Sequence, residues 1–133
     1  MATIKYRKPT RSDAVKIYRW CMNEYGRSKI NGSYPELIFR KPDYLTEDCY
    51  GEYDSISNTL FISKTENIHL IDLIDTIIHE WIHYLQPIRS HLRTMRSEKR
   101  LHEAFNNKDP LEIEAQKIAK RDKKKCFLQI YKI

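Results

Sequence analysis

Residues 69–86, HLIDLIDTIIHEWIHYLQ, constrain this chain more than any other stretch. On a helix at about 100° per residue, Ile71, Leu73, Ile74, Ile77, Ile78, Trp81, Ile82 and Leu85 fall on one broad half. Asp72, Asp75, Thr76, His79, Glu80, His83 and Gln86 fall on the other. So apolar a helix must enter the core and carry its polar stripe with it. As a solvated surface face the stripe would be rich in Lys and Glu, yet residues 69–86 contain no Lys or Arg. Within it His79 and His83 stand one turn apart on one face, so both imidazoles can reach one metal ion. Glu80 points to the side of that pair, where it can hold a water on the ion without ligating it.

The rest of the chain reads as elements packed around this helix. Ala14, Val15, Ile17, Tyr18, Cys21, Met22 and Tyr25 recur at helical spacing after a cap-like Ser12-Asp13, and Gly26 ends that helix. Pro35 to Arg40 is a short apolar run between turn residues, which predicts a strand. Residues 49–63 predict a hairpin, with Tyr50 to Tyr53 and Thr59 to Ile62 as arms and Asp54, Ser55, Ser57 and Asn58 in the turn. Pro87 closes the central helix, and residues 88–106 are basic with loose helical spacing. Asp109-Pro110 starts a last helix, with Asp as cap and Pro in the first turn, running through Leu111, Ala115, Ile118 and Ala119 toward Arg121. Phe127 to Tyr131 is expected as an apolar tail or strand. With 133 residues, no repeat and no linker, the expectation is one domain spanning 1–133. Its expected class is α+β: a small three-stranded, mostly antiparallel sheet packed on an N-terminal helix, the central helix and a C-terminal helix.

Two histidines are too few for a catalytic zinc site, which takes three protein ligands and keeps one position open. A HExxHxxGxxH pattern needs a histidine at position 89; Arg89 stands there and Gln86 replaces the glycine, so that class is excluded. His91 and His102 remain candidates, although His102, within EKRLHEAF, reads better as a surface or packing residue.

Three pieces together resemble the gluzincins, zinc peptidases whose third ligand is a glutamate on a second helix. They are Gly51-x-Tyr53-Asp54 with Asn58-x-Leu60-x-Ile62, Thr76-x-x-His79-Glu80-x-x-His83, and Asp109-Pro110-Leu111-Glu112-Ile113-Glu114-Ala115 with Ala119 following. The likeness is greatest to the small intracellular ImmA/IrrE-type phage-repressor peptidases, and extends to the ExxAD pattern of the membrane CAAX-type peptidases. It implies a zincin-like fold and Zn²⁺ held by His79, His83 and a glutamate. It also implies a peptidase in which Glu80 takes a proton from a zinc-activated water and later delivers it to the leaving amine. Glu112 is expected as the ligand because Ala115, Gln116 and Ala119 follow it at i+3, i+4 and i+7, a flank that can approach the active helix. Glu114 instead faces Lys117, Ile118 and Arg121 at those offsets. Gln116 stands where such families carry Asp or Asn, and its side-chain oxygen is the expected acceptor from a ligand histidine. Tyr84, His91, Arg93 and Tyr131 are candidate oxyanion donors among which the sequence does not choose. An extended substrate is expected as an added strand beside Thr59, Phe61 and Ser63.

The expected partner is therefore a protein or peptide substrate, met by a monomer. The formal charge of +6 and pI near 9.2 permit contact with nucleic acid without requiring it. Its two basic stretches, Arg89, Arg93, Arg96, Lys99 and Arg100, then Lys117, Lys120, Arg121 and Lys123 to Lys125, lack interleaved aromatics and read as solvated faces. The rival functional class is a zinc-stabilised regulatory or nucleic-acid-binding protein without catalysis. No signal peptide or membrane span is read from the chain, so a cytoplasmic setting is expected. Cys21, Cys49 and Cys126 are odd in number and widely spaced, which predicts reduced, mostly buried thiols.

Overall fold

The computed structural model describes residues 2–30, 32–41, 51–64, 68–86 and 110–131. After a short 3₁₀ turn at Ala2–Tyr6 come helix α1 (Arg11–Tyr25), strands β1 (Glu36–Arg40), β2 (Gly51–Asp54) and β3 (Thr59–Ser63), the central helix α2 (Leu70–Leu85) and helix α3 (Pro110–Tyr131). The class is α+β, with three α-helices and one small mixed sheet among the described residues. No helix among the described residues is long and apolar enough to cross a membrane.

The cap of α1 is Thr10, two residues before the Ser12-Asp13 that the sequence suggests. Thr10 and Asp13 form a capping box: the Asp13 N–H donates to Thr10 Oγ1 at 3.3 Å, and the Thr10 N–H donates to Asp13 Oδ2 at 2.8 Å. Gly26 ends the helix at φ +77°, a conformation that favours glycine, and its N–H closes on the Met22 carbonyl.

The sheet order is β1-β3-β2. β2 and β3 form the expected antiparallel hairpin, with Tyr53 opposite Leu60. Asp54 builds the turn by accepting from the Ile56 N–H and the Ser57 hydroxyl, and Asn58 takes φ 52°, which its short amide side chain tolerates. β1 does not extend the hairpin on its outer side. It pairs parallel with the far edge of β3, Leu37 opposite Leu60, so the sheet is mixed and not mostly antiparallel. β3 is consequently central, and Thr59, Leu60, Ile62 and Ser63 are all buried. The expectation of a substrate strand on Thr59, Phe61 and Ser63 is corrected here: β1 already pairs with β3 from Thr59 to Ser63, and β2 pairs with its other side from Thr59 to Ile62.

α2 lies at the centre of the core. Leu70, Leu73, Ile74, Ile77, Ile78 and Trp81 are fully buried, and Thr76, Glu80, His83 and Gln86 on the polar stripe are buried with them. The stripe is covered from two sides: β2 lies over Thr76 and Glu80, and α3 packs against α2 with Ala115 and Ala119 fully buried. α3 continues unbroken to Tyr131, so residues 127–131 are the last turns of a helix and not a separate tail or strand. Three bonds fasten the second half of α3 to α1: Tyr25 to Asp122 at 2.6 Å, Trp20 to Gln129 at 2.7 Å, and Tyr131 to Asp13 at 2.6 Å.

Gly51 sets how closely β2 approaches α2. A Cβ there would stand 2.7 Å from Thr76 Cγ2, 3.1 Å from Ile62 Cδ1 and 3.3 Å from Glu80 Cγ.

Candidate metal centre

His79 and His83 project from one face of α2, as their spacing requires, and their ring centroids lie 4.9 Å apart. Glu112, in the first turn of α3, reaches across to both. Its Oε1 is 2.5 Å from His79 Nε2 and its Oε2 is 3.0 Å from His83 Nε2. One ligand atom from each of the three lies within 4.8 Å of the others. Two imidazole nitrogens and a carboxylate are a donor set that zinc accepts. Among the described residues they are the one group of three so placed. Glu114 is not among them: it is exposed and accepts from the Gln86 amide at 3.1 Å.

The electrostatics follow from burial and this close approach. Burial alone would push the Glu112 carboxyl up, but the imidazoles of His79 and then His83 outweigh it and hold its pKa well below the usual carboxylate range. Burial likewise works against charge on His79, while bonding to Glu112 and the nearby Glu80 carboxylate carry its pKa upward.

Glu80 stands beside the ligand set. Its Oε2 is 3.9 Å from His79 Nε2, and its Oε1 accepts the Tyr53 N–H from β2 at 2.9 Å. One oxygen is thus pinned to the sheet while the other faces the centre. Sequence reasoning missed this backbone partner, because nothing local in β2 announces which helix side chain will meet it.

The acceptor expected at Gln116 lies elsewhere. Gln116 is exposed, and the partner of His83 Nδ1 is Gln86 Oε1 at 2.7 Å. Gln86 was visible in the sequence on the polar stripe, three residues after His83, where a helix brings side chains together. Two of the four candidate oxyanion donors are committed away from the centre. The Tyr84 hydroxyl donates to the Ser33 carbonyl and accepts the Ser28 N–H, and the Tyr131 hydroxyl donates to Asp13. His91 and Arg93 lie outside the described residues, as do His102 and the first basic stretch.

In the second basic stretch Arg121 pairs with Asp122, Lys123 with Asp75 and Lys125 with Glu24, as on a solvated helix face. Cys21 and Cys126 are free and buried, and burial pushes the Cys126 thiol up to about 12, which leaves it inert as a nucleophile. Cys49 lies outside the described residues. A separate cleft of about 350 Å³ between α1 and β1, lined by Tyr18, Met22, Leu37 and Phe39 among others, contains none of the candidate residues. Comparison with protein-family models, curated proteins and solved structures returns no match.

Proposed function

We propose that the protein is a zinc-dependent peptidase of zincin-like type, hydrolysing a peptide bond in a protein substrate, with His79, His83 and Glu112 as ligands and Glu80 as general base. The observation that carries the reading is the meeting of Glu112 with both HExxH imidazoles, with the Glu80 carboxylate beside the set and not in it. The resemblance to ImmA/IrrE-type peptidases agrees with it, since their ligand set is the same in kind. A divalent ion held by these residues supplies Lewis acidity, polarising a carbonyl and acidifying water. The chain's own groups do the remaining work. The Glu112 carboxylate would offset one unit of the ion's charge and the two neutral imidazoles would give it lone pairs, in a site where His83 is nearly inaccessible to solvent. The Tyr53 N–H fixes the Glu80 carboxylate so that Oε2 takes a proton from the attacking water and returns it to the departing amine.

One observation favours a second reading, a metal-stabilised binding protein without catalysis: the Tyr53 N–H bond gives Glu80 a structural task as well. The two readings separate in a host-like lysate. New protein termini should appear with the wild type, vanish with a chelator, return with added zinc and fall by about 10²–10⁴-fold in rate with Glu80→Gln. No new termini from zinc-loaded protein, or equal cleavage by Glu80→Gln, overturns the peptidase reading.

A further inference from the structure

We propose that Gln86 is the positioning residue of this centre: its amide selects the ring nitrogen through which His83 meets a metal, and ties that selection to the helix that supplies Glu112. The inference rests on the metal-site reading above. Gln86 is buried and uses its whole amide. Its Nε2 lies 2.9 Å from the Leu111 carbonyl and 3.1 Å from Glu114 Oε1. Both partners are acceptors, so that end must be the NH₂ group and the other end must be the carbonyl oxygen. That oxygen sits 2.7 Å from His83 Nδ1 and cannot donate, so Nδ1 must carry the proton. Nε2 is then the nitrogen left to exchange its proton for a metal, on the side that faces Glu112.

The same amide reaches the residue before the Glu112 ligand and the residue two beyond it. It therefore sets the first turn of α3 against the end of α2, across 23 intervening residues that the structure does not describe. Ending α2 does not require this side chain. The Gln86 backbone N–H closes on the Ile82 carbonyl, and Pro87 cannot continue the helix. A glutamate at 86 would still accept from Nδ1 but would confront Glu114 and lose the bond to the Leu111 carbonyl. Pairing Gln86→Glu with Glu114→Gln keeps the acceptor for His83 and restores a donor between the two side chains.

The test uses metal alone. Zinc affinity is measured by competition with a chromophoric chelator. NMR of isotope-labelled histidine, with NMR-active cadmium as the metal, reports which ring nitrogen is coupled to the metal and whether Nδ1 keeps a protected proton. Wild type should couple through His83 Nε2 with Nδ1–H protected. Gln86→Met, confirmed folded by its melting transition, should lose zinc affinity by about 10–100-fold and lose the protected proton. The Gln86→Glu/Glu114→Gln pair should recover most of both. Unchanged affinity and an unchanged Nδ1–H signal in Gln86→Met overturn the positioning role while the metal site stands. Loss of affinity in both variants with an unchanged Nδ1–H signal also overturns it, because the side chain then serves packing alone. A wild type that takes up neither zinc nor cadmium sinks the metal-site reading and this one with it.

Discussion

Gly51→Ala tests how the sheet is seated on the central helix. The backbone at Gly51 is ordinary strand, so alanine meets no conformational strain, and replacing glycine in the unfolded chain should by itself stabilise by about 0.4–1 kcal/mol. The new methyl nonetheless lands 2.7 Å from Thr76 Cγ2, well inside the contact distance of about 3.5–4.0 Å for two carbons. Thr76 is β-branched on a buried helix face, so its methyl has little freedom to turn away. Overpacking of this kind costs about 1–3 kcal/mol, leaving a net loss of about 1.5 kcal/mol. With a urea slope of about 2 kcal/mol/M, the unfolding midpoint should fall by about 0.7 M. Thr76→Ser removes the clashing carbon and alone should cost about 0.8 kcal/mol for the lost methyl. If the clash is real, the double variant is less destabilised than the sum of the two, by about 1 kcal/mol, because the alanine methyl occupies the space the threonine methyl left. Zinc affinity should not change, since none of the three ligands is among the atoms the methyl meets. Additive single effects, or a Gly51→Ala variant as stable as wild type, would refute the close seating of β2 on α2.

Two other outcomes are expected. Glu112→Ala should weaken zinc binding by orders of magnitude in a chelator competition, whereas Glu114→Ala should affect it far less, through the Gln86 contact alone; the reverse order would move the ligand to Glu114. Asp13→Ala should cost about 2–3 kcal/mol in chemical denaturation, because it strips the α1 cap and the partner of the Tyr131 hydroxyl at once. That difference should depend on pH. Burial works against the Asp13 charge, but Arg7, Tyr131 and Thr10 outweigh it and hold the carboxyl below its usual range. The folded pKa thus lies below the unfolded value of about 3.9, so the contribution is fully present above that pH and declines as pH falls below it. A gap between wild type and Asp13→Ala that stays constant from pH 6 down to about 2 contradicts the depressed pKa.

The parts of the fold that were legible in the sequence are those encoded within a few turns. The apolar half of α2 and the HExxH spacing are local, and they fixed which face enters the core. The small residues Ala115 and Ala119 after Glu112 marked the flank that packs on α2, and both are fully buried there. What could not be read depends on which distant pieces meet. The parallel pairing of β1 with β3 inserts the later hairpin arm between two others, a choice no strand pattern records. The helical course of residues 127–131 is decided by Trp20 and Asp13 on α1, each more than a hundred positions away. Gln86 was readable as a polar residue near His83, but its task required knowing where Leu111 and Glu114 would lie.

The central claim, that His79, His83 and Glu112 hold a metal ion, is tested most directly by anomalous diffraction at the zinc edge on crystals of the zinc-loaded protein. The account predicts a single strong peak about 2.0–2.2 Å from Nε2 of both histidines and from a Glu112 oxygen, with Glu80 beside the ion and not bound to it. No peak there, or a peak ligated by Glu114, His91 or His102 in place of Glu112, would contradict it.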